Sequence, residues 1–385
     1  MRRLLVLGAG PAQLGLLEAA RARSDLYVIA VDRDPLAVGL PLADERAVLS
    51  SEDEQGIDRL ARAREVNGIV SPGADWPVGI AARIAERMRL PHPIDGATAA
   101  VATSKLRQRD RFEAAGVPHP RATVDLDAIT LPSVVKAVDR QGQRGLGLVT
   151  VAAELAPAIA EARAASRGGG VLVEELIVGP EVTVNAISVD GAFVPLLVTD
   201  RVTADPPAFG VALAHVAPAA ELDARAVEIA KAAVEAVGIR NGPSYTQLRI
   251  GPEGPVVMEV AARLGGGHDA ELVGAVTGVD LNAAVVACSL GEQPTVPETV
   301  SANGGGAIVF CVPPPGELVR VDGIDAAAAG EGVRWVRVYR SPGHTFGELR
   351  RGADRAGAVL AVGRDRAEAL DRAMLAAETV TFVTN

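Results

Sequence analysis

Cysteine is almost missing from this 385-residue chain: Cys288 and Cys311 are the two it has, with no C-x-x-C and no spacing of metal ligands. That excludes a disulfide framework and a zinc site and leaves both thiols as core residues. Long hydrophobic runs are missing as well. No window holds eighteen uninterrupted apolar residues, so no membrane span is expected. The apolar run at 4–7 is cut by Gly8, Gly10 and Pro11, too early for the core of a secretion signal, so a reducing, cytoplasmic setting is expected. Nor is there a surplus of positive charge. With 38 Lys and Arg against 48 Asp and Glu, net charge −10, the chain lacks the basic face that nucleic acids or anionic membranes require. Small molecules are the expected partners.

What is present is core: 49% hydrophobic and 22% charged residues, over a length that suggests two or three domains at about 150 residues each. The opening alternates strands and helices. Residues 4–7 read as a buried parallel strand, Gly8, Gly10 and Gly15 mark a turn into a helix reaching residue 23, and a second strand at 27–31 ends at Asp32. This opens a βαβ unit, and a nicotinamide site there is a weak reading, since the glycine spacing is two residues longer than G-x-G-x-x-G. Strands at 47–49 and 68–70 with helices at 58–64 and 77–87 complete a three-layer α/β unit. Asp75 lies past the carboxyl end of a strand, where ligands of such sheets bind, or caps the helix that begins there.

The pattern then changes. A helix is expected over 98–115, carrying Lys105. Next comes the strand Ser133-Val134-Val135-Lys136-Ala137-Val138, with a lysine in its middle, and the glycine loop Gln141-Gly142-Gln143-Arg144-Gly145-Leu146-Gly147. A lysine inside an apolar strand is costly unless it meets an anion, and such a loop can wrap phosphates with its N–H groups. The strand at 170–178 brings Glu174, Glu175 and Ile177, with Glu181 just beyond: an apolar backbone edge suited to adenine and carboxylates suited to ribose hydroxyls. Residues 182–198 read as a hairpin. Residues 200–218 read as a long irregular loop containing Arg201 and His215, the latter a packed histidine more readily than a catalyst. After a helix at 223–236, a strand bearing Gln247 pairs through a turn with Val256-Val257-Met258-Glu259-Val260-Ala261-Ala262-Arg263-Leu264-Gly265-Gly266-Gly267. Alternation places Glu259, Ala261 and Arg263 on one face, a carboxylate for a metal and a cation for an anion, or else a core strand with a surface salt bridge. The glycines leave N–H groups open beside it, next to His268. A linker at 294–306 precedes a smaller α+β tail.

Taken in order, Lys105, Lys136, the 141–147 loop, the acids at 174–181 and the 247/259/263 set resemble the ATP-grasp superfamily, nearest to its carboxylate–amine ligases, the L-amino-acid ligases and carnosine-synthase-like enzymes. The resemblance implies an N-terminal Rossmann-like pre-grasp domain (1–95), an ATP-grasp domain (96–292) with a lid subdomain near 118–177, and a C-terminal α+β domain (293–385). It implies ATP with Mg²⁺, or Mn²⁺ in its place, and small-molecule carboxylate and amine substrates; a homodimer is compatible with it. By the same resemblance, Lys105, Lys136, Gln141, Gly142, Gly145 and Gly147 would hold phosphates, Glu174, Glu175 and Ile177 adenine, and Glu181 ribose. Gln247 and Glu259 would hold the metal, and Arg263 with Lys136 would steady the transferring phosphoryl group. Asp75, Arg201, His215, Gly265, Gly266, Gly267 and His268 would face substrate. Two positions depart from the pattern: Ala261 stands where the family usually has Asn, and Ala212 where amino-acid ligases tend to carry an acid. A purine-pathway-like carboxylating ligase, a non-catalytic nucleotide sensor and an NAD-dependent oxidoreductase are the alternatives, in that order.

Overall fold

The computed structural model describes residues 1–125, 129–220 and 223–385. The lid subdomain expected near 118–177 therefore includes three residues, 126–128, outside the described ones. The chain opens with four parallel strands in the order β3-β2-β1-β4: β1 (Arg2–Leu7), β2 (Leu26–Asp32), β3 (Glu45–Val48) and β4 (Gly68–Val70). Leu4 to Leu7 are fully buried because helices cover both sheet faces, which is why the run is continuously apolar. Helix α1 (Leu14–Arg21) lies on one face, α2 (Glu54–Ala63) and α3 (Asp75–Met88) on the other. Helix α2 starts four residues before the expected 58, because the Asp53 side chain caps the Gly56 N–H at 3.0 Å.

The single helix expected over 98–115 is two, α4 (Gly96–Ala102) and α5 (Lys105–Ala115). Ser104 is extended between them and its hydroxyl accepts from Arg107 N–H at 3.4 Å, so Lys105 is the first residue of a helix rather than a point on its flank. A small antiparallel sheet follows, β5 (Ala122–Thr123), β6 (Ser133–Ala137), β7 (Leu146–Val149) and β8 (Val171–Glu175) in the order β5-β8-β6-β7, packed on α6 (Ala152–Ala165).

The largest sheet is antiparallel, with the order β13-β12-β9-β10-β11-β14-β18-β16. It begins with β9 (Glu181–Val189), β10 (Ala192–Thr203) and β11 (Ala212–Ala217). The irregular loop expected over 200–218 is thus mostly strand. Arg201 lies directly opposite His215, and the prolines are confined to the link at 204–211 and to the end at Pro218, where they break no ladder. Helix α7 (Arg225–Val237) backs β12 (Gly242–Gly251) and β13 (Gly254–Ala261), which pair in the expected register with Gln247 opposite Glu259.

Helices α8 (Asp269–Thr277) and α9 (Leu281–Ser289) return to cover the α1 face of the first sheet. The approach is close: a Cβ on Gly15 would come within 2.6 Å of the Glu271 carboxyl, so that glycine serves helix packing. Strand β14 (Gly305–Cys311) then extends the large sheet, so the sheet itself crosses position 293. β15 (Gly316–Asp322), helix α10 (Ile324–Ala328), β16 (Val333–Val338), β17 (Thr345–Phe346), β18 (Gly357–Gly363), α11 (Arg366–Thr379) and β19 (Thr381–Thr384) complete the tail, with β17-β15-β19 as a third, small sheet. Strand β15 escapes a reading by periodicity because only one of its seven residues is buried. Among the described residues no single helix is long and apolar enough to cross a membrane.

Candidate active site

A cleft of about 750 Å³, counted to its open mouth, is lined from both the small and the large sheet. Beneath its floor, which Lys136 forms, lies a buried ion trio. Lys136, on β6, donates to one oxygen of Glu174, while Arg109 holds the other at 2.6 Å, and the Glu174 side chain is fully buried. Burial pushes the Lys136 ammonium below its ordinary value despite that partner, and the neighbouring Arg109 charge adds to the shift. One carboxylate shared by two cations leaves net positive charge withdrawn from water and facing the cleft, which is the electrostatics of an anion site. The sequence signal for Arg109 is its position four residues after Lys105, on the same helix face.

Lys105 reaches the same cleft from α5, donating to Glu259 Oε1 at 2.9 Å and to the Arg140 carbonyl at 2.7 Å. Burial would raise the Glu259 carboxyl; Lys105, then Arg263 and Lys136, outweigh it and hold it below the usual range. The β12–β13 ladder slips by one residue here: Gln247 faces Glu259 and Leu248 faces Val257, leaving Met258 as the extra residue. That bulge turns Met258 as well as Glu259 toward the cleft, where strict alternation would admit one. Gln247 and Glu259 are neighbours, but among the described residues no group of three His, Cys, Asp or Glu could hold a metal, and Ala261, buried, adds no ligand. Two side-chain oxygens fit a cation that takes the rest of its shell from water and phosphate, as Mg²⁺ does.

The 141–147 loop forms one wall at Gln141, Gly142 and Gly145. Gln141 Oε1 accepts the Asp75 backbone N–H, tying the loop to the start of α3. Gly147 does not join them: it lies on β7 against Ala158 of α6. Of the segment at 174–181, Ile177 and Glu181 line the cleft and the Glu174 and Glu175 side chains do not, since the first is beneath Lys136 and the second pairs outward with Arg121 at 2.7 Å. Glu181 accepts from Arg201 at 2.5 Å and Arg249 at 3.4 Å.

Through Gln141, Arg201 and Gln247 this cleft opens into a second, wider one that holds Arg263, His215, Gly266 and Gly267. Arg263 Nε donates to Asp75 Oδ1 at 2.5 Å; burial would lower the guanidinium, and Asp75 more than offsets that. Asp75 thus does not cap α3, whose cap position is Ala74. His215 Nδ1 meets Asp269 Oδ1 at 2.6 Å, both buried, and a Cβ on Gly267 would sit 3.0 Å from His215 Nε2, so the glycine leaves that nitrogen uncovered. Burial would raise the Asp269 carboxyl; the His215 charge and hydrogen bond keep it below the ordinary range. Gly265 and His268 fall outside both clefts. Gly265 is packed against the Asp269 carboxyl, and His268 is buried between Tyr339 (2.6 Å to the hydroxyl), Glu271 and Arg337. A histidine held by three side chains at a helix start is a structural joint.

The glycine turn at 8–15 offers little to a dinucleotide. Asp32 accepts the Ala9 and Asp34 N–H groups at 2.8 and 3.0 Å, and Gln13 lies against Gly8, so the carboxylate that would bind ribose is spent on the turn itself.

Two family models match the chain: the carbamoyl-phosphate synthase L chain, ATP binding domain over residues 116–295, and the L-amino acid ligase C-terminal domain 2 over residues 309–385. The chain is 30% identical over 400 positions to the uncharacterized protein y4rH of Sinorhizobium fredii, covering 96% of this chain and 80% of that one. Over 148 positions it is 29% identical to carnosine synthase 1 of Gallus gallus, a match covering 38% of this chain and 16% of that protein. The crystal structure of L-amino acid ligase from Bacillus licheniformis shares the fold with a TM-score of 0.85 at 20% identity, over 100% and 99% of the two chains. So does the biotin carboxylase domain of Hydrogenobacter thermophilus 2-oxoglutarate carboxylase, solved with MgADP and bicarbonate, with a TM-score of 0.81 at 19% identity over 100% and 91%. These motifs, this architecture and these matches have one reading: the chain belongs to the ATP-grasp superfamily of carboxylate–amine ligases.

Proposed function

We propose that this enzyme activates a substrate carboxylate as an acyl-phosphate at the expense of ATP, releasing ADP, and joins it to an amine, such as that of an amino acid, with loss of phosphate. The observation that carries the reading is the meeting of Lys105, Lys136, Gln247 and Glu259 in one cleft that opens directly onto Arg263. Carboxylate is a poor acyl donor because oxide is a poor leaving group; phosphorylation supplies a good one. Lys136 and Lys105 bind phosphate oxygens, and Ile177 and Glu181 hold the nucleoside. Gln247 and Glu259 hold Mg²⁺, which when bound neutralises phosphate charge. Arg263, set by Asp75, orients the carboxylate and the phosphoryl group it receives, and the N–H group of Gly266 faces the acyl oxygen, that of Gly267 being taken by Asp269 at 3.3 Å. His215, oriented by Asp269, takes the proton that the amine loses as it attacks. On this reading the chain divides into a pre-grasp part (1–95), a grasp part (96–292) whose small sheet is the lid, and a tail (293–385) that closes the second cleft with Tyr339 and Arg355.

The test is release of ADP and phosphate from Mg-ATP by the purified protein against acids and amines, singly and in pairs. Release confined to a particular acid–amine pair, with an amide product by mass, supports the ligase. AMP and pyrophosphate would overturn the mechanism. Incorporation of labelled bicarbonate in place of an amine would give the carboxylating alternative its place.

A further inference from the structure

The wider cleft is lined by seven arginines and, among the described residues, by no aspartate or glutamate. Three of the seven are matched: Arg201 to Glu181, Arg263 to Asp75 and Arg351 to Asp354. Arg33 is exposed to solvent, and Arg144, Arg340 and Arg355 have carbonyl oxygens alone. Arg144 donates to the Gln141 carbonyl at 3.2 Å, Arg340 to those of Tyr339 and Ala353 at 3.2 Å each, and Arg355 to those of Gly352 and Ala212 at 2.8 and 3.2 Å. The Arg355 guanidinium is stacked over Phe310, 3.6 Å from the ring centroid, and burial pushes it down to about 10. Burial lowers Arg144 too, and the Arg140 charge adds to it. A guanidinium drawn out of water without a carboxylate is costly, and several in one wall are retained at a loss unless an anion completes them.

We infer that the acid activated here is a polyanion, carrying at least one further carboxylate or phosphate besides the carboxylate that becomes the acyl group, and no ammonium beside it. The inference rests on the ligase reading and narrows its first substrate. A free α-amino acid in that place would set its ammonium among guanidinium groups with no acid to receive it. A second anionic group gives Arg340 and Arg355, from the tail, a planar bidentate partner besides Arg263. The tail would then select the acid, while the two sheets of the narrower cleft hold the nucleotide.

Calorimetric titration of the full chain with Mg-ADP present, using butyrate, glutarate, tricarballylate, phosphonoacetate and alanine as probes, tests this. Glutarate or tricarballylate, or phosphonoacetate if the second group is a phosphate, should bind about tenfold or more tightly than butyrate or alanine, with affinity falling as salt rises. Arg340→Gln and, separately, Arg355→Gln should erase most of that preference while ADP affinity stays unchanged, which also shows that each variant is folded. Equal affinity for alanine or butyrate, a preference that survives both substitutions, or no binding by any probe would overturn the inference. ADP release is read apart from binding. Polyanions that bind through Arg340 and Arg355 yet yield no ADP with any amine would uphold the polyanion site and overturn the proposed reaction.

Discussion

His215 and Asp269 form a buried pair, Nδ1 to Oδ1 at 2.6 Å, with the other ring nitrogen uncovered toward the wider cleft beside Gly267. The two residues come from different places, β11 and the first turn of α8, and are fixed independently of any ligand. The ring edge packs on Phe310, 5.7 Å between centroids, and Arg201 lies opposite His215 in the ladder. An imidazole held in one orientation by a carboxylate, with its far nitrogen facing substrate, is the arrangement of a general base.

If His215 deprotonates the amine, its loss should depend on whether the nucleophile needs deprotonating. His215→Gln is expected to lower kcat for amide formation by about 10²–10⁴, leaving KM for ATP little changed. Hydroxylamine, neutral near pH 7, should still trap the acyl-phosphate at close to the parent rate. Amide and hydroxamate formation falling together would assign the pair a packing role instead.

The trio Arg109, Glu174 and Lys136 predicts opposite effects for two neighbouring substitutions. Glu174→Gln leaves two buried cations uncompensated and should cost about 3–5 kcal/mol in urea unfolding. Lys136→Met leaves the Arg109–Glu174 pair intact, so its stability loss should be smaller while its affinity for Mg-ATP falls. Equal destabilisation by both, with ATP binding kept in Lys136→Met, would remove Lys136 from the nucleotide site.

Arg263 is held between Asp75 and the Leu264 carbonyl, in the wall of the wider cleft. Arg263→Ala is expected to lower turnover by at least about 10²–10³ with ATP binding spared, because its charge is needed where negative charge shifts during transfer. Phosphate release by that variant at the parent rate would sink its assignment.

How far the sequence carried follows from which signals are local. Lys136 stood out because a lysine in an apolar strand contradicts its surroundings, and the structure places it at the cleft with its positive charge half-compensated. The Gln247–Glu259 pairing followed from two runs joined by a glycine turn, a short-range relationship. By contrast, the strands carrying Arg201 and His215 read as loop because prolines dominate the link between them, and ladder pairing across it is not written in periodicity. Sequence order groups His268 with the glycines beside it, yet its positive φ of 63° turns it into the joint with Tyr339 and Arg337, more than sixty residues onward. The arginines at 340, 351 and 355 were invisible as a set because what unites them is β14 carrying the tail back onto the large sheet.

That joint also sets a pH dependence. Glu271 accepts from Arg337 at 2.6 Å and meets His268 at 3.1 Å, while Arg337 reaches Glu18 at 2.6 Å, so the network ties α8, the tail and α1 together. Burial would raise the Glu271 carboxyl; the hydrogen bond from His268, with Arg337, brings it down to about 2 from 4.5. A carboxyl whose folded value lies below its unfolded one stabilises the fold at pH above the unfolded value, and that contribution is lost as pH falls through the folded one. The network should therefore lend its full support above pH about 4.5 and surrender it toward pH 2, up to roughly 3 kcal/mol for a shift of that size. Urea unfolding of the parent between those limits should show a falling stability that Glu271→Gln flattens, because the amide has no charge to lose. The same acid slope in Glu271→Gln as in the parent would place that dependence in other carboxylates and leave the joint as packing alone.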